Sequence, residues 1–333
     1  MLQTGIGTLP ASPRPAQAQG PAPGPPPRRP DGAPTPEALE ELAGRLRGHV
    51  EALASDIGER HLFRPGSLEA AAAYVAGRWE GLGLAVRRQT YRARGVPCAN
   101  LEAELPWRAP PGAGRPPILV VGAHYDSLEG CPGANDNASG VAVLLELARL
   151  LAGEPLPWRV RLVAFANEEP PFFRTPAMGS AVYVGAAWRR REPIAGALIL
   201  ETVGYYSDEP GSQRYPPPLS MLHPHRGDFV AFVSNLRSRG WLRRAARAFR
   251  RQRLLPLEDM AALTAIPGVA WGDQRSFWQA GYPALMITDT APYRYPWYHS
   301  PEDTPEKLDY TRLARLAWAM AGTVRALARP RRR

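Results

Sequence analysis

The chain has little of what marks several common protein classes. Its two cysteines, Cys98 and Cys131, lie far apart and form no CxxC pair, so one disulfide and two free thiols are both compatible with the sequence. No apolar run approaches the ~20 residues needed to span a bilayer. The first residues lack the charged-then-apolar pattern of a secretory signal. These features predict a cytoplasmic protein with no membrane partner, unless the natural start differs.

Lysine is almost absent, because Lys307 is the single lysine among 41 basic residues, which outnumber 31 acidic ones to give a net charge of +10. We interpret this charge as codon bias spread over a solvated surface. Two segments are locally basic, 242–253 and the terminal RPRRR, but neither interleaves aromatics as nucleic-acid-binding surfaces do. We therefore expect no nucleic-acid partner, although an arginine-rich nucleic-acid binder is a rival hypothesis that predicts salt-sensitive DNA binding.

The composition divides the chain into a tail and one large domain. Residues 1–34 are rich in Pro, Gly and Ala, which predicts a disordered tail. The length and the 44% hydrophobic content fit one large domain or two small ones, and we expect residues 35–330 to form a single domain. Inside it, the proline-rich stretch 205–240 interrupts the pattern of elements and is interpreted as a long insertion that lines a substrate pocket.

Alternating apolar strands and helices predict the fold. Thr35 is placed to cap a helix whose apolar stripe runs to Ile57, and Thr304 to cap the closing helix. The strands that are apolar throughout are 117–123, 160–166, 197–201 and 283–288. Such strands favour a mixed, largely parallel sheet with helices on both faces, in which ligands bind at the carboxyl ends of the strands.

Acidic and histidine side chains lie at or just after the ends of these strands: His124 and Asp126 in ILVVGAHYDS, Asp136 in GANDNASG, Glu168 and Glu169 in RVRLVAFANEE, Glu201 in ALILE, and His299 in WYHSPEDT. Each one alone has a simple structural explanation, such as a hydrogen-bonded histidine, a helix cap or a solvated acidic turn. Together, the two histidines and three of these carboxylates match a pair of zinc ions and leave a carboxylate available to act as a base beside the metal-bound water.

The spacing suggests a role for several of these residues. Asp126 lies two residues after His124 and points the same way in an extended chain, so it can accept from the imidazole and fix its tautomer. Asp136 could place one oxygen on each of two metals. Adjacent side chains point apart, so Glu169 is predicted as a ligand and Glu168 as a general base. A serine nucleophile is disfavoured because the chain contains no GxSxG motif.

Five segments resemble the co-catalytic zinc aminopeptidases of the bacterial leucyl-aminopeptidase type: AHYDS, GANDNASGVAVLLELAR, FANEE, LETVGYYSDEPGSQRYP and TDTAPYRYPWYHSPEDTPEKLDY. The resemblance implies a three-layer α/β sandwich whose mixed, centrally parallel sheet has about eight strands. It also implies two Zn²⁺ ions, with Co²⁺ or Mn²⁺ as alternatives. Asp136 would bridge the metals, His124 and Glu201 would complete one site, and Glu169 and His299 the other.

The activity implied by the resemblance is removal of N-terminal residues from peptides with a free N-terminus, through a metal-activated water and Glu168 as the base. The aromatic content near Tyr293–Tyr298 suggests a preference for apolar N-terminal residues. The same family includes one-zinc glutaminyl cyclases and the non-catalytic transferrin receptor ectodomain, and both are kept as alternatives. This chain departs from the commoner pattern at Glu201, where many members have Asp, and at Gln274, where relatives often have His.

Overall fold

A mixed sheet of eight strands organises the chain in the computed structural model, which describes residues 32–112, 114–153, 155–216 and 223–329. The strands are β1 (Val86–Ala93), β2 (Val96–Glu104), β3 (Ile118–His124), β4 (Arg159–Phe165), β5 (Ile194–Leu200), β6 (Val230–Asn235), β7 (Leu257–Ala262) and β8 (Ala284–Thr288). Their order across the sheet is β1-β2-β4-β3-β5-β8-β6-β7. The predicted tail, residues 1–34, falls almost entirely outside the described residues.

The centre of the sheet is parallel, as predicted, and its edges are mixed. Strands β4, β3, β5 and β8 run parallel to one another. On one side β2 pairs antiparallel with β4 and with β1, and on the other β6 pairs antiparallel with β8 and parallel with β7. The four central strands therefore direct their carboxyl ends toward the same edge of the sheet.

Helices cover both faces of the sheet. They are α1 (Pro36–Glu51), α2 (Ser67–Glu80), α3 (Gly140–Leu151), α4 (Gly179–Arg189), α5 (Arg239–Arg250), α6 (Gln274–Gln279), α7 (Ala291–Arg294) and α8 (Tyr310–Leu327). One face packs on α1, α2, α3, α5 and α8 through the large hydrophobic core, and the other packs on α4 and α6 through a smaller one. None of the described helices has the length and apolar character required to cross a membrane.

The first helix forms as its sequence predicts. The Thr35 hydroxyl accepts from the N–H of Ala38 at 3.2 Å, and Pro36 occupies the first turn, where no backbone donor is needed. After Glu51 the helix continues as a π-helical segment, Ala52–Ile57. It ends at Gly58, whose φ of 77° is accessible to glycine at little cost. The predicted apolar stripe is buried along this whole segment, at Leu42, Leu46, Val50 and Leu53.

Two sequence-based expectations need correction. The predicted insertion, 205–240, extends too far, because Val230–Asn235 form β6 inside the sheet and a helix begins at Arg239. The segment between β5 and β6 therefore ends at residue 229. The closing helix is not capped by Thr304, because Leu308 has extended backbone after a short 3₁₀ turn, and α8 begins at Tyr310 with the Asp309 carboxylate accepting from the N–H of Arg312.

Candidate metal and catalytic site

The carboxyl edge of the central sheet gathers all the predicted site residues. His124 is the last residue of β3, and Glu168 and Glu169 follow the end of β4. Glu201 directly follows β5, and Asp136 lies in the turn that leads from β3 into α3. His299 lies in the loop after β8. The strand order places the ends of β4, β3, β5 and β8 side by side, so residues distant in sequence converge at this edge.

Asp136 joins two groups of potential metal ligands. Its Oδ1 lies 3.2 Å from Nε2 of His124, which is also 3.2 Å from Oε1 of Glu201. Its Oδ2 lies 3.1 Å from Nε2 of His299, which is 3.5 Å from Oε2 of Glu169. The two oxygens of one carboxylate thus face different groups, each made of one histidine and one further glutamate.

The donor set fits a metal centre. His124, Asp136 and Glu169 each offer a ligand atom, and these three atoms lie within 4.8 Å of one another. Among the described residues, Oε2 of Glu201 is buried without a hydrogen-bond partner, while its Oε1 and Oδ1 of Asp136 both face Nε2 of His124. Buried polar atoms are normally satisfied, so an unpaired carboxylate oxygen in a group of imidazoles and carboxylates fits a cation-binding site.

The pKa shifts of the clustered carboxylates also indicate a metal site. Burial and the nearby carboxylate of Asp136 together raise the pKa of both Glu169 and Glu201 to about 7. Burial also favours the neutral form of Asp136, but hydrogen bonds from His124 and His299 hold its pKa below the usual value. Several carboxylates therefore share one desolvated space in which full ionisation is costly without added positive charge. Bound metal ions would supply that charge.

Glu168 has the properties expected of a general base. It is 5% exposed and lines the cavity beside Asp136 and Glu201. Burial raises its pKa well above the usual value, and the charges of Glu201 and Glu169 raise it further against the opposing effect of His124. A carboxylate with a raised pKa holds an abstracted proton more readily than an exposed glutamate does.

Asp126 contacts more of the site than its spacing predicted. Its Oδ1 accepts from the N–H of Glu168 and its Oδ2 from the N–H of Glu169, both at 3.0 Å. Nδ1 of His124 lies 3.5 Å from Oδ1 of Asp126 and closer, at 3.2 Å, to its backbone carbonyl oxygen. In this structure the carbonyl is thus the nearer partner of the imidazole, and the carboxylate spans the two glutamates.

Sequence reasoning missed the residues that hold Asp136 in place. The carboxylate of Asp303 accepts from the N–H of Asn135 at 2.8 Å and of Asp136 at 3.0 Å, and from the Tyr295 hydroxyl at 2.8 Å. Oδ1 of Asn137 accepts from the N–H of Thr202 at 3.1 Å, next to Glu201. Asp303 lies only four residues after His299, and this proximity was the one signal that could have drawn attention to it.

A buried arginine links the loops of the site. The side chain of Arg60 is fully buried and donates to the backbone carbonyls of Tyr125, Pro132 and Gly133. Tyr125 adjoins His124, and Gly133 lies three residues before Asp136. Burial lowers the pKa of Arg60 to about 10, although Asp126 and Asp303 oppose this shift. No sequence pattern around GERHLF pointed to this role.

A mainly apolar cavity of about 330 Å³ opens directly beside the ligand cluster. Its walls include Phe173, Tyr215, Ile266 and Trp271 from loops and Tyr293 from α7. The floor comes from β6, β7 and β8, which on this side pack against loop residues and against Trp278 of α6. The ring of Tyr298 stacks on the imidazole of His299 with centroids 3.9 Å apart, which ties the cavity mouth to the ligand cluster.

A central parallel sheet with buried histidines and carboxylates at its carboxyl edge defines the class as an α/β metal-dependent hydrolase. The chain belongs to peptidase family M28, whose sequence profile matches residues 100–324. The matched segment contains His124, Asp126, Asp136, Glu168, Glu169, Glu201 and His299. This membership confirms the sequence-based interpretation of the chain as a zinc metallopeptidase, a hydrolase of peptide bonds.

Similar proteins span this family. The chain is 38% identical over 291 residues to the protein YfbL of Escherichia coli, a match that covers 85% of each chain. It is 43% identical over 77 residues to aminopeptidase YwaD of Bacillus subtilis, which covers 23% of this chain and 16% of YwaD.

Two solved structures share the fold. BSAP, a zinc aminopeptidase from Bacillus subtilis, superposes with a TM-score of 0.65 at 16% identity, over 85% of this chain and 94% of BSAP. Glutaminyl cyclase from Fimbriiglobus ruber superposes with a TM-score of 0.64 at 21% identity, over 85% of this chain and 95% of the cyclase. At these identities the likeness confirms the predicted fold and does not by itself separate the two activities.

Proposed function

We propose that the protein is an aminopeptidase that uses two zinc ions to remove N-terminal residues from peptides with a free N-terminus. Membership of peptidase family M28 and the partial match to an aminopeptidase support the reaction class. The observation that carries the two-metal proposal is the division of the Asp136 oxygens between two ligand groups. A site for one metal would leave one of these groups, and one of the two histidines, without a ligand role.

The residues assigned to the metals follow from these contacts. His124 and Glu201 would hold one ion, Glu169 and His299 the other, and Asp136 both. When bound, the ions would polarise the substrate carbonyl and lower the pKa of a water molecule. The longer side chain of Glu201, relative to Asp, still brings its Oε1 to 3.2 Å from His124, which supports its assignment as a ligand.

Glu168 is assigned the proton transfer. Its carboxylate takes a proton from the attacking water and returns it to the amine that leaves, so the peptide bond is broken and one water molecule is consumed. The Asp126 carboxylate fixes the backbone of Glu168 and thereby positions the base. The buried carboxylates nearby also give the cationic α-amine of a free N-terminus a favourable environment, which supports exopeptidase rather than endopeptidase action.

Aminoacyl-nitroanilides and matched free and N-acetylated peptides test the proposal. We expect cleavage of the free peptides only, loss of activity with a chelator, and recovery on addition of zinc. Glu168→Gln should lower kcat by roughly 10²–10⁴-fold with zinc content unchanged, whereas Glu129→Gln, at an exposed position, should leave kcat unchanged. Equal cleavage of acetylated peptides would refute the aminopeptidase proposal, and cyclisation of N-terminal glutamine without peptide cleavage would favour a glutaminyl cyclase.

A further inference from the structure

The floor of the cavity beside the ligand cluster contains a charged residue, Glu258. Strand pairing places Ala231 of β6 between Thr288 of β8 and Glu258 of β7, and it places Val233 between Met286 and Met260. Paired residues on neighbouring strands point to the same face of a sheet. The row of Thr288, Ala231 and Glu258 lies nearer the carboxyl end of β8 and ends in the Glu258 carboxylate, and the next row, Met286, Val233 and Met260, is apolar.

Glu258 and Asp259 both line the cavity, but the Asp259 carboxylate is paired with an arginine on the other face of the sheet. Successive side chains of a strand alternate between faces. Asp259 forms an ion pair with Arg250 of α5, a helix that packs on the opposite side of the sheet. Among the described residues, the one ion-pair partner of Glu258 is His223, whose Nδ1 lies 3.3 Å from Oε2 of the carboxylate. The Glu258 side chain is 37% exposed.

The described residues that line the cavity include acidic side chains but no lysine or arginine. The acidic residues include Glu258 at one end and the ligand carboxylates at the other. A substrate side chain with a negative end would meet only like charge there. A positively charged end would meet a carboxylate whose described partner is a single histidine.

The distance also suits a long side chain. Glu201 at the end of β5 and Glu258 in β7 are separated by three strand spacings, or about 14 Å. An extended arginine or lysine carries its charge about 6–7 Å from its Cα. The remaining distance accommodates the substrate backbone beside Glu201 and Asp136. A leucine side chain would fill only the part near Thr288 and Met286.

We infer that Glu258 forms a subsite for the cationic end of an N-terminal arginine or lysine, whose aliphatic stem packs along Val233 and Met286. This inference rests on the proposed aminopeptidase function and specifies its substrate class. It refines the apolar preference expected from the aromatic residues, because the apolar walls contact the stem and Glu258 contacts the charge. His223 competes for the same carboxylate and is displaced from it when the substrate binds.

Lysyl- and norleucyl-nitroanilide form the decisive substrate pair, because their side chains share four carbons and differ in the terminal charge. We expect the wild-type kcat/KM to be higher for the lysyl and arginyl substrates than for the norleucyl one, and lowest for the glutamyl one. Glu258→Gln should lower the lysyl-to-norleucyl ratio about five- to tenfold and leave norleucyl cleavage within about twofold of wild type. Asp259→Asn, a matched carboxylate-to-amide change on the same strand, should leave the ratio unchanged.

Binding measurements separate failure of the subsite from failure of the proposed activity. Calorimetry with L-argininamide and L-norleucinamide on zinc-loaded protein should give a Kd for argininamide that rises about fivefold in Glu258→Gln, with no change for norleucinamide. An unchanged ratio and an unchanged Kd in Glu258→Gln would overturn the subsite even if aminopeptidase activity is present. If no aminoacyl substrate is cleaved but argininamide binding depends on Glu258, the proposed aminopeptidase activity is refuted and the cationic subsite is supported.

Discussion

The carboxylate of Asp126 accepts hydrogen bonds from the backbone N–H groups of both Glu168 and Glu169, at 3.0 Å each. One side chain therefore fixes the proposed base and the proposed ligand at the same time. A carboxylate that accepts two backbone donors has no equivalent among neutral side chains of the same size, because an amide offers one acceptor oxygen and two donor hydrogens.

We predict that Asp126→Asn lowers kcat/KM by roughly 10–100-fold and weakens zinc binding, because the new amide group would face one of the two N–H groups. The check is the pairing of nitroanilide kinetics with zinc content after desalting. Asp56→Asn changes an exposed carboxylate in the same way and should alter neither quantity. Wild-type kinetics in Asp126→Asn would show that the two backbone contacts do not position the site.

The convergence of the predicted ligands at one edge could be expected from sequence, because His124, Glu169 and Glu201 lie at or just after the ends of apolar strands in the parallel centre. The double contact of Asp126 could not, since it depends on the alignment of β3 with β4, in which His124 pairs with Phe165. Strand β7 also escaped prediction. Its sequence LEDMAA is neither apolar throughout nor clearly alternating, and it forms an edge strand of the sheet that is only partly buried. Arg60 was missed because backbone carbonyls, which carry no sequence signal, are its partners.

Metal stoichiometry tests the division of the ligands into two groups. We predict about two zinc ions per wild-type chain, about one after Glu201→Ala or His299→Ala, and fewer than one after Asp136→Ala. The reason is that each single glutamate or histidine contacts one group, whereas Asp136 contacts both. Elemental analysis of desalted protein gives the counts. A wild-type chain that reaches full activity with one zinc would contradict the two-metal proposal.

Arg60 should matter for stability as well as for the site. Replacement by Met leaves the carbonyls of Tyr125 and Pro132 without their side-chain donor, at about 1–3 kcal/mol for each group that finds no other partner. The Gly133 carbonyl also loses its contact with Arg60 but keeps the N–H of Ala138. We predict a loss of roughly 3–5 kcal/mol in the free energy of unfolding, together with weaker zinc binding because the loops that carry His124 and Asp136 are no longer joined. Urea unfolding of the metal-free protein and zinc titration measure the two effects.

Arg64→Met is the control for Arg60→Met, because Arg64 is an exposed arginine four residues away. It should change the free energy of unfolding by less than about 0.5 kcal/mol. Arg60→Lys should fall between the two, since one ammonium can reach fewer carbonyls than a guanidinium. If Arg60→Met unfolds at the wild-type urea concentration, the buried carbonyl contacts contribute no net stability.

A buried glutamate far from the site predicts the response of the fold to acid. Glu146 of α3 accepts from Arg149 at 2.6 Å, from Arg45 at 3.0 Å and from His49 at 3.1 Å, and its side chain is 1% exposed. Burial alone would raise its pKa, but the hydrogen bond from His49 and the charges of His49, Arg149 and Arg45 lower it to about 2. Folding therefore favours the ionised carboxylate relative to the unfolded chain.

Because the folded pKa lies below the usual value of 4.5, Glu146 stabilises the fold above pH 4.5, and this contribution is lost as the pH falls toward 2. We predict that Glu146→Gln unfolds with roughly 3 kcal/mol less free energy than wild type at pH 7. The difference should shrink between pH 4.5 and pH 3. Burial lowers the pKa of His49 against the opposing effect of Glu146, so His49 reduces stability below pH 6.5 in both proteins, and more strongly in Glu146→Gln. Urea unfolding at pH 7, 5, 4 and 3 measures the trend, with the exposed Glu51→Gln as control. A difference that stays constant from pH 7 to pH 3 would mean that Glu146 is not held ionised by its neighbours.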